Sequence, residues 1–134
     1  MDSLLKINLK NSRTIIIPSA LSSVDRKISR KINLIFDTGA DKTAISKSTL
    51  MQMGYTQFIP SNTEKRSAIG IFRPETTIVS ELIIGGQFRL SHFLLDVLEA
   101  ESSSTFDGII GMDFISQLEV TISNKNKLLT VEKA

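Results

Sequence analysis

The sequence predicts an all-β, closed, barrel-like fold for this 134-residue chain. Short runs of β-branched residues recur along it, and each run ends in polar residues or glycine, as strands joined by turns do. Thr76 to Ile84 and Gln87 to Val97 are predicted as two long strands. Gly85-Gly86 between them favours a two-residue hairpin turn, because both positions of such a turn need a positive φ. Since few stretches have a helical pattern, these strands favour a barrel.

The other predicted elements follow in chain order. A first weakly alternating strand over Leu4 to Leu9 precedes a β-branched run from Thr14 to Ile17, which we expect to stop at Pro18. Further strands are predicted over Ile32 to Phe36, at Ile109 and Ile110, and in a last hairpin made of Leu118 to Ile122 and Lys127 to Val131. One short helix should begin near Ser46 or Ser48 and end at Gly54, and a second should follow Asp113 as its cap.

Composition limits the possible functions. The length indicates one domain over residues 1–134, although the first thirty residues are the hardest to place. The chain has no cysteine, which excludes disulfides, thiolate zinc sites and cysteine nucleophiles. The N-terminus does not resemble a signal peptide, and no run approaches the ~18 apolar residues that span a bilayer, so we expect a cytoplasmic protein without a membrane partner.

The charge pattern gives little indication of a nucleic-acid partner. The net charge is only +2, and we expect no nucleic acid to bind. Basic residues do gather at Arg26, Lys27, Arg30 and Lys31. This group fits either a solvated surface or an electrostatic docking patch.

One acidic residue stands out at the end of a predicted strand. The apolar run Leu34-Ile35-Phe36 leads directly into Asp37-Thr38-Gly39. Gly39 lets the backbone turn sharply, and the Thr38 hydroxyl can fix the loop by hydrogen bonding. The triplet alone fits a catalytic carboxylate or an ordinary turn, because Asp-x-Gly is also common turn chemistry.

A second motif decides between these readings. Phe106-Asp107-Gly108-Ile109-Ile110-Gly111 lies about seventy residues downstream and precedes a predicted short helix. The two motifs, in this order and spacing, resemble the retropepsin-like aspartic peptidases, the single-domain relatives of the pepsins. The resemblance extends from about Lys31 to Ile122, and Gly-Met-Asp-Phe-Ile is more similar to cellular or bacterial members than to retroviral ones.

The resemblance implies an aspartic endopeptidase that works as a homodimer on peptide or protein substrates. Its chemistry needs two neighbouring carboxylates that share one proton, and this sequence has one Asp-Thr-Gly. The second carboxylate therefore comes from another copy of the chain. Asp37 of each subunit would form the dyad, Thr38 would link the two loops, and Gly39 would accept a hydrogen bond from the substrate backbone. No metal or other cofactor is needed.

The family also places a β-hairpin flap between the motifs. We expect it over Arg66 to Thr76, with Gly70 between Ile69 and Ile71 at a flexible tip; an ordinary surface hairpin is the alternative. The residues expected to contact substrate are Ala40, Asp41, Ile69, Gly70, Ile71, Ile109 and Ile110. For Asp41, a contact with the substrate backbone and a simple turn-capping role stay open. Asp107 is interpreted as a turn residue.

Two other functions compete with the peptidase. The fold could persist as a catalytically silent dimerisation or peptide-binding module, but the intact Asp37-Thr38-Gly39 speaks against it. An unrelated β-barrel with a fortuitous triplet is the remaining alternative, and the downstream Ile-Ile-Gly element speaks against that one.

Overall fold

The computed structural model describes residues 4–8, 14–62, 64–67, 70–99, 106–123, 125–126 and 128–133. These residues form twelve strands and two short helices. In chain order the elements are β1 (Leu4–Asn8), β2 (Ile16–Ser22), β3 (Ser29–Phe36), β4 (Ala44–Ser46), α1 (Lys47–Gln52), β5 (Ile59–Pro60), β6 (Lys65–Ser67), β7 (Gly70–Phe72), β8 (Glu75–Ile84), β9 (Phe88–Leu98), β10 (Gly108–Ile110), α2 (Met112–Ile115), β11 (Leu118–Ser123) and β12 (Leu128–Lys133).

Six of these strands close into a barrel, which confirms the predicted fold class. The strand order is β2-β3-β10-β4-β9-β8, and β8 pairs back to β2. The β3–β10 and β4–β9 pairs are parallel, whereas the remaining pairs of the ring are antiparallel. Short β5 extends the ring by pairing with β8. The closed ring leaves the six strands without a free edge among themselves.

The barrel interior holds the hydrophobic core. Alternate residues of each strand face inward because the side-chain period of a strand is two. Fully buried side chains come from most strands of the ring and from α1, among them Ile17, Leu21, Leu34, Ile45, Leu50, Leu82, Leu95 and Ile110. The Tyr55 hydroxyl joins two strands from inside, since it donates to Ser22 O at 2.8 Å and accepts from Ser80 N at 3.0 Å.

Strand β2 continues through Pro18, so the prediction that it stops there is wrong. Pro18 pairs with Asn33 of β3, and its carbonyl accepts a hydrogen bond from Gly85 N at 3.0 Å. Proline has no backbone N–H to donate, and none is needed at this position because the β2–β8 ladder starts only at Ser19. At that position a strand tolerates proline, because no ladder bond is lost.

The turn between β8 and β9 has the backbone that the glycine pair predicts. Gly85 has φ +62° and Gly86 has φ +70°, and Gln87 N donates to Ile84 O at 3.2 Å. Because Ile84 pairs with Phe88, Gln87 adds a third residue to the predicted two-residue loop.

The chain ends form a separate three-stranded antiparallel sheet in the order β1-β12-β11. The last hairpin is as predicted, and β12 pairs with β1 on one side and β11 on the other. Strand β12, which contains Leu128 to Val131, therefore has both of its edges paired within one chain. Of residues 1–30, the described segments therefore supply β1 to this sheet, and β2 and the start of β3 to the barrel.

Candidate active site

Asp37 lies directly after β3, where the barrel opens. Its backbone N–H donates to Ile110 O at 3.0 Å, which continues the parallel pairing of β3 with β10. Its half-buried carboxylate accepts a hydrogen bond through Oδ1 from Gly39 N at 2.9 Å. A side chain at position 39 would place its Cβ 3.2 Å from that oxygen. Glycine therefore leaves room for the carboxylate above an exposed loop.

The segment after β10 holds this loop from behind. Met112 N donates to Ala40 O at 2.8 Å, and Asp113 N donates to Asp41 O at 3.0 Å. At Gly111, a Cβ atom would lie 2.4 Å from the backbone carbon of Lys42. The loop and the downstream motif pack backbone against backbone, and a larger residue at position 111 would separate them.

Gly108, at the start of β10, allows an equally close approach. A Cβ atom there would lie 2.1 Å from Ala44 O, where β10 pairs with β4. The two glycines that flank Ile109 and Ile110 are thus both required by contact with backbone. This observation explains why the downstream motif has a glycine on each side of its two isoleucines.

Asp113 fastens the loop to α2, and its predicted role as the helix cap is wrong. Helix α2 begins one residue earlier, with Gly111 at the N-cap position. The Asp113 Oδ1 atom accepts hydrogen bonds from Thr43 N, Thr43 Oγ1 and Phe114 N, each at 2.9 Å. The Thr43 hydroxyl in turn accepts from Gly111 N at 3.1 Å. Helix α1, by contrast, begins as predicted, because Ser46 caps it by accepting from Thr49 N.

Asp107 does more than the turn role predicted for it. Its Oδ2 accepts from Asn33 N at 2.9 Å and its Oδ1 from the Thr49 hydroxyl at 3.2 Å. The carboxylate therefore links β3 to α1 at the entrance of β10.

A cleft of about 710 Å³ lies beside the Asp37 loop. Gly39, Ala40 and Asp41 line one side of it, and Ile109 contributes to its floor. Ile110 does not reach the cleft, because it faces the opposite side of β10 and is 0 % exposed in the core. Of the two isoleucines predicted to contact substrate, the structure thus places Ile109 against the cleft and Ile110 in the core.

The hairpin β6–β7 lies where the flap is expected, but its limits differ. Lys65 pairs with Phe72 and Ser67 with Gly70, so Gly70 is the first residue of the returning strand and not the turn. The predicted range, Arg66 to Thr76, therefore holds mainly the returning arm. Ile71 pairs with Arg66 along the backbone. Ile69 lies outside the described residues.

One ion pair joins the two sides of the hairpin, and Lys47 of α1 forms two more with residues of the barrel side. Arg73 contacts Glu64 across the hairpin at 3.0 Å. Lys47, at the start of α1, contacts Glu75 at 2.9 Å and Glu99 at 3.8 Å. The hydrogen bond from Lys47 holds the pKa of the Glu75 carboxyl below its ordinary value, and the same bond raises the pKa of Lys47. The spacing of these residues in the sequence gives no signal for this pairing.

The basic group and the single histidine meet on another face. Arg26, Lys27, Arg30 and Lys31 are all exposed. Arg26 Nη2 donates to Ser80 O at 3.0 Å and lies 3.3 Å from His92 Nε2. Neither the basic group nor His92 lines the cleft.

The described part of the chain contains no helix that is both long and apolar enough to cross a membrane. Within the same residues, no three histidine, aspartate or glutamate side chains come together as a metal site would require.

Comparison with known proteins identifies the family. The profile of the family described as "Aspartyl protease" matches residues 25–114, which include both the Asp37 loop and the Gly-Ile-Ile-Gly strand. No match was found among curated proteins.

Solved structures share the fold. The chain is similar to a retropepsin-like aspartic protease from Rickettsia conorii, with a TM-score of 0.67 and 16% identity over 99% of this chain and 93% of the other. It is also similar to the retroviral protease-like domain of Ddi1 from Leishmania major, with a TM-score of 0.54 and 19% identity over 89% and 88% of the two chains. This chain belongs to the aspartyl protease family and has the retropepsin-like fold.

Proposed function

We propose that the chain is an aspartic endopeptidase whose active unit is a homodimer, with Asp37 of each subunit as the catalytic pair. The observation that carries the proposal is the position of Asp37. It directly follows β3, its loop is fixed through Ile110 and Gly39, and the next residues of that loop, Gly39 to Asp41, line a cleft large enough for peptide side chains. One carboxylate is half of what the chemistry requires.

The second carboxylate would come from the same loop of another copy. A two-fold axis beside Asp37 brings identical groups together, because an isologous contact pairs each residue with its own counterpart or with a reciprocal partner. Two like charges at that distance cannot both ionise, so the pair retains one proton. The exposed Thr38 lies next in the loop and would contact the partner loop.

The reaction would proceed by general acid–base catalysis. The ionised Asp37 takes a proton from a water molecule, whose oxygen attacks the carbonyl carbon of the scissile bond. The partner subunit's Asp37 gives its proton to the carbonyl oxygen, and a tetrahedral diol forms. As the diol collapses and the C–N bond breaks, the amine nitrogen takes up the proton held by Asp37, and a diol hydroxyl returns its proton to the partner's Asp37. A carboxylic acid and an amine leave, and the dyad again holds one proton. No covalent intermediate is formed.

The substrate would lie extended between the loop and the flap. Gly39, Ala40, Asp41 and Ile109 border the cleft on the loop side, and Arg73 and Pro74 border it on the flap side. Hairpin β6–β7, including Gly70 and Ile71, would close over the bound peptide and exclude water. Backbone hydrogen bonds to an extended peptide would supply much of the affinity.

The test is a pH series of cleavage of a mixed peptide library, followed by mass spectrometry, with wild type and Asp37→Asn. Asp25→Asn is the matched control, because it makes the same chemical change in an exposed turn. We expect activity in wild type and Asp25→Asn and a loss of at least about 10³-fold in Asp37→Asn. Equal activity in wild type and Asp37→Asn would exclude Asp37 as the catalytic residue, and a folded, inactive wild type would favour the silent binding module.

A further inference from the structure

The cleft beside the Asp37 loop combines an apolar wall with a buried carboxylate, that of Asp96. We propose that it is a specificity pocket for a lysine or arginine side chain of the substrate, and that Asp96 pairs with the cationic head group. The inference rests on the proposed function, since it assigns to the cleft the recognition of one substrate side chain.

The apolar part of the cleft suits a long unbranched stem. Ala40, Ala44 and Ile109 line it. Lysine and arginine bury their methylene groups along such surfaces while their charged ends reach polar groups. A short side chain would leave part of this space unfilled.

Asp96 supplies the polar end. It lies on β9 opposite Ala44 of β4, and its backbone N–H donates to Thr43 O at 2.9 Å. The preceding Leu95 points into the core, so Asp96 points to the other face of β9 and lines the cleft. The residue is only 4 % exposed. Attraction between a carboxylate and a cation is stronger there than at the surface, because little water screens it.

The surrounding charges favour a cation as well. Arg73 of the lining is ion-paired with Glu64, and Glu75 and Glu99 share Lys47. The described lining residues and these ion-pair partners together carry a net charge of −2. The five carboxylates are Asp41, Glu64, Glu75, Asp96 and Glu99, and the three cations are Lys42, Lys47 and Arg73. The whole chain carries +2. The cleft is therefore an acidic site on a basic protein, which attracts basic peptide segments.

The experiment compares three versions of a cleaved peptide, with lysine, norleucine or glutamate at one position. Norleucine is the control because it keeps most of the stem and lacks the charge. Each position near the scissile bond is varied in turn on both sides, since the proposed dimer has two copies of the cleft. At one position we expect wild type to prefer lysine over norleucine by roughly tenfold or more in kcat/KM, and to disfavour glutamate.

Variants assign the preference to Asp96. Asp96→Asn should reduce the lysine-to-norleucine ratio to about 1–2, because it removes the charge that distinguishes the two peptides. Glu81→Gln, which removes a carboxylate that is ion-paired with Arg89 and does not line the cleft, should leave the ratio as in wild type.

The outcomes separate this proposal from the proposed function. Equal cleavage of lysine and norleucine peptides at every position, with cleavage still dependent on Asp37, would overturn the pocket and leave the peptidase intact. An unchanged ratio in folded Asp96→Asn would overturn the role of Asp96. Should that variant fail to fold, the wild-type peptide series decides whether the pocket selects a cation. Absence of cleavage of any library peptide by wild type would tell against the proposed function itself.

Discussion

Replacing Asp113 should show how strongly the Asp37 loop depends on the segment behind it. Asp113→Ala removes the acceptor of three 2.9 Å hydrogen bonds, two of them from Thr43. Phe114 N keeps a second acceptor in Gly111 O at 3.2 Å, whereas the N–H of the fully buried Thr43 loses the Asp113 acceptor. An unsatisfied buried group costs about 1–3 kcal/mol, and the weakened hydroxyl bond adds to it, so we expect a loss of about 2–4 kcal/mol.

Asp113→Asn is the matched variant, because an amide oxygen can accept the same hydrogen bonds without the charge. We expect it to lose only about 1 kcal/mol. In a chain of this size the alanine variant should melt roughly 8–14 °C below wild type. Urea unfolding followed by circular dichroism, at one fixed protein concentration, measures the difference. Equal losses in Asp113→Ala and Asp113→Asn would refute the argument from hydrogen-bond geometry.

A double-mutant cycle with Thr43→Val separates this contact from a simple helix-capping effect. If Asp113 acts through Thr43, the two changes should be non-additive by about 1 kcal/mol or more. Additivity within about 0.3–0.5 kcal/mol would leave the hydrogen bond from Phe114 N as its contribution.

Three further predictions follow from close contacts and ion pairs. Gly111→Ala forces a Cβ atom to within 2.4 Å of the Lys42 backbone, so we expect a loss of stability of about 3 kcal/mol or more and displacement of the Asp37 loop, measurable by urea unfolding and by peptide cleavage. Tyr55→Phe leaves the two backbone groups that its hydroxyl joins unsatisfied and should cost about 1–3 kcal/mol in the same unfolding assay, whereas no measurable loss would contradict the buried contact. Glu75→Gln should lower stability near neutral pH; because the pKa of Glu75 is lowered from 4.5 and that of Lys47 is raised from 10.5, the difference from wild type should be full between these values. It should then vanish as the pH falls through the lowered pKa of Glu75 or rises through the raised pKa of Lys47, and a difference that persists unchanged at pH 3 would contradict the ion pair.

Local patterns in the sequence predicted much of the barrel. Alternating β-branched runs fixed the long β8 and β9, and the Gly85-Gly86 pair fixed their turn, because these features depend on neighbouring residues alone. The continuation of β2 past Pro18 could not be predicted, because proline is tolerated there only where the pairing with β8 starts one residue later. That fact depends on a strand more than sixty residues away.

The candidate site, too, was predicted only in part. The two motifs predicted that the Asp37 loop and the Gly-Ile-Ile-Gly strand would lie together, and both glycines do allow backbone contact. The bond from Asp113 to Thr43 was not predicted, because a carboxylate before an apolar run has the sequence pattern of a helix cap as well. The acidic wall formed by Asp96 was also missed, because nothing in β9 itself indicates that this residue faces the cleft.

The most direct test of the shared active site is a subunit-mixing experiment. Wild type and Asp37→Asn are denatured together in equal amounts, refolded, and assayed at the same total chain concentration as wild type alone. If each active site needs Asp37 from both subunits, random pairing leaves only about one quarter of the dimers fully equipped, and activity should fall to about 25% of that of wild type. Activity at about 50%, in proportion to the wild-type chains present, would contradict a site built from two copies.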